Sequence, residues 1–456
     1  MPGQSLFLKL VEKDLGEFEE FMHHSSDEDV RQLLTELHSA DIADIAERID
    51  EDSRGRLMSL LDASRAAEVL SLVEEHHQSD ILEAIPEAML PEVVDEMDSD
   101  DAADILDDLP TEEAEEILDA MPKAESDEVR QLLSYDEESA GGLMQKELVK
   151  VTPDLTLAQA AQSVRRQAEG AEDFQNVYVV EENGLLRGFF PMQKLIFEAP
   201  EKRVSEVMDE HFFSVPADLD QEKVAEMFRK YDLLSLPVVD KRGILLGRIM
   251  VDDIVDVIQE EASEDIYRLG GVDTEEHVSD SAFRSMRLRL PWLLINLLTA
   301  FLAASVVGIF KDTIHKFVIL AVFMPIVASM GGNAGTQSLV VITRGIALGE
   351  LEFGNAKRAL LKEMLAGILN GILLGGIVAA VGFFWVGNPA LGYVLGLAMI
   401  CNLFVAALAG TAIPLLLKWA KVDPALASGV IVTTFTDMTG FFVFLGLASL
   451  FMSYLV

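Results

Sequence analysis

Residues 425–454 read ALASGVIVTTFTDMTGFFVFLGLASLFMSY, an apolar run whose one charged side chain is Asp437. A helix of that length crosses a hydrocarbon core of roughly 30 Å. Working outward from it, four more segments are as long and as apolar: 291–310, 317–343, 364–387 and 391–417. Buried helices of a soluble fold would keep polar faces, and these runs leave none. The back of the chain therefore reads as five α-helical transmembrane spans within residues 284–456.

The front is different in kind. The 456 residues are 50% hydrophobic, yet carry a formal net charge of −42. Residues 291–456 hold six acidic and eight basic side chains, so nearly all the negative charge falls on the first 290. Such a front repels phosphate backbones, which excludes nucleic acid as a partner and favours cations. The single cysteine, Cys401, rules out an intrachain disulfide and lies in an apolar stretch where plain packing explains it. The opening MPGQSLFLKLVEKDLGEFEE has no basic segment followed by an apolar one, so the front is expected to stay in the cytoplasm.

Positive charges orient the spans. Arg284, Arg287 and Arg289 precede the first; Lys357, Arg358 and Lys362 lie between the second and third; Lys418 and Lys421 lie between the fourth and fifth. Opposite loops offer Lys311 and Lys316, so the N-terminus is expected inside and the C-terminus outside. Trp292, Trp385 and Trp419 fall near span ends, as an aromatic belt would place them. Gly367, Gly371 and Gly375 in GILNGILLG are spaced for a close helix contact.

Two stretches are too polar for plain spans. MGGNAGTQS (330–338) follows Pro325 and carries Gly332, Asn333 and Thr336; it reads either as a cavity lining or as a glycine-rich packing seam. In the last span Gly429, Thr433, Thr436, Asp437 and Gly440 fall on one helical face. An acid at the centre of a span costs about 2.5–3.5 kcal/mol, and no base lies within the five spans to offset it. Asp437 is then either protonated against a neighbouring helix or a carboxylate facing water and a cation. Intramembrane acids mark ion or proton pathways, and that reading is preferred.

Residues 1–135 show helical spacing throughout, with related units SADIADIAERI (39–49), QSDILEAIPEA (78–88), SDDAADILDDLP (99–110) and EEAEEILDAMP (112–122). They predict an all-α acidic superhelix of stacked helix pairs. Asp100 and Asp104 share a face there, which taken alone is a solvated acidic surface.

Residues 136–258 hold an internal repeat. GLMQKELVKVTPDLTLAQAAQSV with VYVVEENGLLRGFFPMQKLI matches EVMDEHFFSVPADLDQEKVAEMF with LPVVDKRGILLGRIMVDDIVDVI, pairing Met144 with Met208, Val151 with Val215 and Gly188 with Gly247. Each copy predicts strand, helix, strand, turn, strand, helix. It is rich in carboxylates: Asp220, Glu222, Asp232, Asp252, Asp253 and Asp256. A connecting helix is expected over 252–280, with Ile254, Val257, Ile258, Ala262, Ile266 and Leu269 on its apolar side and Asp253, Asp256, Glu260, Glu261, Glu264 and Asp265 supplying charge.

No enzyme signature is present: no HExxH, P-loop, GxSxG or dinucleotide fingerprint, and one intramembrane acid where an aspartyl protease needs two. Carboxylate, carbonyl and water are ligands for Mg²⁺, Ca²⁺ and Mn²⁺, and Mg²⁺ keeps much of its water on one or two carboxylates. The residues alone point to a divalent-cation channel or transporter with a cytoplasmic cation sensor.

The repeat resembles a tandem CBS pair, an α/β regulatory module. The usual CBS nucleotide pattern is incomplete, with Gly188, Pro191 and Lys194 in one copy and Gly247, Met250 and Asp253 in the other, which argues against a nucleotide bound by that route. The whole order resembles the MgtE family of magnesium channels, on DEESAGGLM (136–144), YDLLSLPVVD (231–240), VDDIVDVIQEEASEDI (251–266), GGNAGTQS (331–338), DPALAS (423–428) and TTFTDMTG (433–440). The resemblance implies a multi-pass homodimer in the cytoplasmic membrane, with its pore on the symmetry axis between spans two and five. It implies Asp437 and Asn333 as pore ligands of hydrated Mg²⁺, and Asp423 at the pore mouth. It implies Asp100, Asp104, Asp220, Glu222, Asp232, Asp253, Asp256, Glu261, Glu264 and Asp265 as sensor acids that close the pore when cytoplasmic Mg²⁺ is high. Two positions depart from the family pattern: Gly429 replaces an asparagine found in some members, and 193–194 are Gln-Lys rather than Arg-Asp. The rival readings are a proton-coupled exporter of Mg²⁺, Mn²⁺ or Co²⁺ and a membrane-anchored sensor that conducts nothing.

Overall fold

The computed structural model describes residues 15–167, 174–278, 280–351, 354–427 and 429–456. The first fourteen residues of the expected superhelix, and Ser428 of the last expected span, lie outside the described residues. The chain divides into two compact units, Met1–Ile258 and Gln259–Val456.

Among the described residues the first unit begins with ten short helices: α1 (Leu15–His24), α2 (Asp27–Glu36), α3 (Ser39–Ala46), α4 (Glu51–Leu60), α5 (Ala63–Ser71), α6 (Glu75–Ala84), α7 (Leu90–Asp95), α8 (Ser99–Asp107), α9 (Thr111–Ala120) and α10 (Lys123–Leu132). Polar residues start several of them: the side chains of Ser26, Asp50 and Asp62 accept the amides of Asp29, Ser53 and Arg65. The unit expected at 78–88 begins earlier, at Glu75, with no side-chain cap. Each helix turns its apolar stripe inward. Ile42, Leu57, Leu70, Ile81, Val93 and Leu106 join one core that continues into the following module through Ala140, Val215, Val224 and Ile249.

Next come β1 (Lys150–Val151), α11 (Leu157–Gln167), β2 (Asn176–Val180), β3 (Leu186–Pro191), α12 (Lys194–Phe197) and α13 (Val204–Val207), then β4 (Val215–Pro216), α14 (Gln221–Tyr231), β5 (Ser235–Val239) and β6 (Leu245–Met250). The repeat is exact in topology: β1 runs parallel to β2 and β2 antiparallel to β3, as β4 does to β5 and β5 to β6. The aligned glycines have one cause. A Cβ on Gly188 would lie 2.4 Å from the Asp209 carbonyl oxygen, and one on Gly247 would lie 2.7 Å from that of Gln145, because another backbone crosses each strand there. The copies meet where Leu186 and Leu245 each donate to the turn glycine of the other, Gly243 and Gly184.

Helix α15 (Val251–Gly270) carries the chain onward. It stops ten residues short of the expected 280, and Gly271 follows with φ +67°. Ile254 and Val257 are buried, but Ile258 and Ile266, assigned from sequence to the same packed side, are exposed.

In the second unit follow α16 (Ala282–Ile309), α17 (Lys311–Lys316), α18 (Leu320–Ala347), α19 (Ala356–Val386), α20 (Pro389–Trp419), a 3₁₀ turn (Pro424–Ala427), α21 (Gly429–Leu450) and α22 (Met452–Leu455). Four of these, α16, α19, α20 and α21, are long and apolar enough to cross a membrane. The expected second span forms a 28-residue helix, α18, but its GGNAGTQ run keeps it out of that group. Helix α20 is the hub: 56% of its most apolar window is enclosed, against 6% for α16. Gly367, Gly371 and Gly375 fit against Leu403, Ile400 and Gly396 of α20, so the predicted glycine contact joins α19 to α20. At one end of the bundle Lys418 Nζ donates to the Leu351 carbonyl at 3.1 Å; at the other Asn388 Nδ2 donates to the Leu455 carbonyl at 3.1 Å.

Candidate functional site

Two constellations stand out, one in each unit. In the first unit, α8 begins at Ser99 and α15 begins directly after β6. The Ser99 hydroxyl donates to Glu147 Oε2 at 2.9 Å and accepts the Lys146 amide at 2.8 Å, which fixes the start of α8 to the chain leading into the repeat. This brings Asp98, Asp100 and Asp101 toward Asp252, Asp253 and Asp256 in the first turns of α15, close enough to raise the pKa values of Asp100, Asp101 and Asp253.

The electrostatics are those of crowded acids out of water. Burial first, and Asp253 next, hold the Asp100 carboxyl well above the usual carboxylate range. Asp100 is 5% exposed, and its Oδ1 has no hydrogen-bond partner. Burial pushes Asp101 up to about 6, with Asp98, Asp252 and Asp256 adding to it. Burial, then Asp252 and Asp101, push Asp253 up to about 7, although its Oδ2 accepts the Met250 amide. Among the described residues no three acidic, histidine or cysteine side chains converge to chelate an ion directly. A cation that keeps its water shell needs fewer protein oxygens, and hard oxygens with an unpartnered Asp100 Oδ1 fit that demand.

The expected sensor acids do not form one group. Asp100 is buried rather than solvated, while Asp104 lies on the exposed side of α8. Asp220 and Asp232 flank the two ends of α14, with Glu222 in its first turn, and all three are exposed. Asp232 ends that helix at φ +51°, a conformation aspartate tolerates better than most residues. Asp98, Asp101 and Glu147 were missed from sequence; for the two aspartates the signal was there in the adjacent acids of DSDDAAD, and for Glu147 the sequence carries none.

In the second unit Arg268, in the last turn of α15, binds both Glu264 and Asp423. Asp423 Oδ1 also accepts the Ala425 amide at 2.8 Å. Burial chiefly, then Asp423 and Glu261, push Asp265 up to about 6. Arg268 is the one base in an otherwise acidic helix, which is the signal that could have singled it out.

Deeper in this unit α18 and α21 pack along small residues. A Cβ on Gly332 would sit 4.0 Å from Thr433 Cβ, and one on Gly335 would meet Val432 and Thr436. This divides the face expected around Asp437. Thr436 and Gly440 are buried within the bundle, so they pack helices rather than line a passage of this chain. Asp437, Thr433 and Gly429 are half-buried, as are Gly332 and Thr336 of α18, and Asn333 is exposed. No ion pair engages Asp437 among the described residues. The hydroxyls of Thr433, Thr434, Thr436 and Thr439 all donate to carbonyls of their own helix, at 3.2, 2.5, 2.9 and 2.7 Å. Thr436 keeps its oxygen inside the bundle; on the Asp437 face Thr433 is half-buried, and its lone pair is what remains to face outward.

Comparison with known proteins matches the same regions. Residues 37–138 match the MgtE intracellular N domain, residues 140–201 and 204–260 each match the CBS domain, and residues 324–447 match the MgtE family described as a divalent cation transporter. A magnesium transporter MgtE from Enterococcus faecalis is 38% identical over 327 residues, 72% of this chain and 72% of its own. One from Thermus thermophilus is 38% identical over 321 residues, 70% of this chain and 71% of its own. The crystal structure of the cytosolic domain of the Mg²⁺ channel MgtE in complex with ATP aligns with a TM-score of 0.51 at 34% identity, over 52% of this chain and 98% of that one.

Proposed function

This chain belongs to the MgtE family, a family of transporters rather than enzymes, and on that premise we propose that it carries Mg²⁺ into the cell. The observation that carries the reading is Asp437: a carboxylate inside an apolar helix, without a basic partner among the described residues, beside the half-buried Thr433 oxygen. A hydrated divalent ion offsets the cost of keeping that charge in a membrane. Asp437 and Thr433 of α21, with Gly332, Asn333 and Thr336 of α18, line the path, and α18 serves as the fifth span. Its polar run is tolerated because it faces protein and water rather than lipid. The exposure of Asn333 supports a second copy completing the path.

The basic ends of the spans, joined where Lys418 meets Leu351, support a cytoplasmic location for that end of the bundle. Entry is favoured by about 2.3 kcal/mol per charge per 100 mV, doubled for a divalent ion, so an inward path needs a gate. Asp98, Asp100, Asp101, Asp252, Asp253 and Asp256 are the sensor: they repel one another when bare and draw together around cytoplasmic Mg²⁺. Helix α15 belongs to both units, so a change at its first turn reaches Arg268 in its last. A solved relative holds ATP, but here the incomplete motif and Lys194 Nζ, which donates to the Val207 carbonyl at 2.6 Å, favour Mg²⁺ as the regulatory ligand.

The test is Mg²⁺ flux into proteoliposomes, wild type against Asp437→Asn. Wild-type flux lost in the variant, and independent of a pH gradient, is expected. No wild-type flux points to a sensor, and flux that follows the pH gradient points to an exporter; either result ends the channel reading.

A further inference from the structure

Asn402 lies in the middle of α20 and is 0% exposed. It is the sole amide in an otherwise apolar stretch, 391–417. Its Nδ2 donates to the Val327 carbonyl of α18 at 2.7 Å. The side chain then occupies space that two glycines leave open. A Cβ on Gly331 of α18 would lie 2.4 Å from Asn402 Nδ2, and a Cβ on Gly440 of α21 would lie 3.0 Å from Asn402 Oδ1. That oxygen has no conventional hydrogen-bond partner. It sits against both glycines, 2.9 Å from where Gly331 would carry a Cβ and 3.0 Å from that position on Gly440, as closely packed helices allow.

A buried polar group inside an apolar bundle persists only where something compensates it, and amides joining membrane helices fix them in register. Asn402 touches the two helices of the proposed path from behind, at Gly331 beside Gly332 on one and at Gly440, three residues from Asp437, on the other. We propose that Asn402 is a positioning residue: it locks α18 against α21 and so sets the spacing between Asp437 and the Gly332–Thr336 segment that a hydrated divalent cation must fit. This rests on the transport reading above but makes a structural claim that can be tested without transport.

The register is readable by cross-linking. The 4.0 Å between the Gly332 Cβ position and Thr433 Cβ is a disulfide-forming separation. In a Cys401→Ser background, Gly332→Cys with Thr433→Cys should therefore oxidise readily. Adding Asn402→Leu, or adding Gly440→Ala to displace the amide from the other side, should slow that oxidation about threefold or more in protein that remains monodisperse. In chains without the cysteine pair, the same two changes should shift the half-saturating Mg²⁺ for flux about threefold or more, with a smaller change in maximal flux. A merely structural role would lower yield or thermal stability and leave half-saturation where it is. Cross-linking at the unmodified rate in both variants overturns the proposal whatever the flux does. If the unmodified protein carries no flux, the transport reading fails, and the cross-link alone decides the role of Asn402.

Discussion

Arg268 donates to Asp423 across 155 positions of sequence, from the last turn of α15 to the loop before α21. The same guanidinium binds Glu264, so one fixed cation satisfies two acids that the family resemblance assigns to Mg²⁺. All three side chains are about a quarter to a third exposed, where such a pair contributes about 1 kcal/mol or less. Arg268→Gln removes the internal competitor. The concentration of cytoplasmic Mg²⁺ that halves flux should fall about three- to fivefold, in line with that energy. Flux measured against internal Mg²⁺ checks this; an unchanged or higher inhibitory concentration would sink it.

The crowded acids around Asp100 make stability depend on pH in a definite direction. Asp101 and Asp253 titrate at about 6 and about 7 in the folded chain, above the ordinary value near 4. The folded state therefore holds more protons than the unfolded one between these values. Stability from these groups is complete below about pH 4 and is lost as pH rises through 6 and 7. Without Mg²⁺, thermal unfolding and proteolysis of the first unit should both become easier from pH 5 to pH 7.5. Millimolar Mg²⁺ should reverse the change at pH 7.5 and do little at pH 5, where protons occupy the same oxygens. Asp100→Asn, which removes a buried carboxyl that resists ionising among its acidic neighbours, should stabilise the Mg²⁺-free protein by about 1–3 kcal/mol at pH 7.5 and shrink the Mg²⁺ response. A Mg²⁺ response that is equal at both pH values, or intact in Asp100→Asn, contradicts the assignment.

The glycine contact between α19 and α20 allows a matched comparison. A Cβ on Gly371 would lie 2.8 Å from Ile400 Cα, a backbone atom that cannot swing aside, whereas one on Gly376 meets nothing within 4 Å. Gly371→Ala should cost about 1–3 kcal/mol through overpacking. Gly376→Ala should stay within about 0.5 kcal/mol. Thermal unfolding in detergent separates them, and equal melting temperatures would show that α19 and α20 do not pack this way.

Much of this fold is legible in the sequence because its signals are local and periodic. Apolar runs mark the spans, and the aligned Gly188 and Gly247 mark the repeat. What escapes is partnership at a distance. An i, i+4 rule selects Asp100 and Asp104 together, yet α8 buries Ala102, Ala103, Ile105 and Leu106, and its inward arc takes in Asp100 and leaves Asp104 outside. Which acids meet depends on α15 packing there, and no window of residues contains that information. Arg268 was hidden by the acids around it, and its partner Asp423 is far along the chain. Asn402 gave no periodic signal, since one amide in an apolar run has no pattern. On the face drawn on α21, Thr436 and Gly440 sit at the edge, and the approach of α18 and α20 covers them.

On the proposed path Thr433 of α21 favours one sign of charge. With its hydroxyl hydrogen turned back onto the Val430 carbonyl, that side chain has an acceptor and no donor to show a passing ion. Chloride or phosphate would shed water there and receive nothing from it in return, even before meeting the carboxylate at 437. With Thr433 lining the path as proposed, the bond to its own helix works against anions separately from any formal charge.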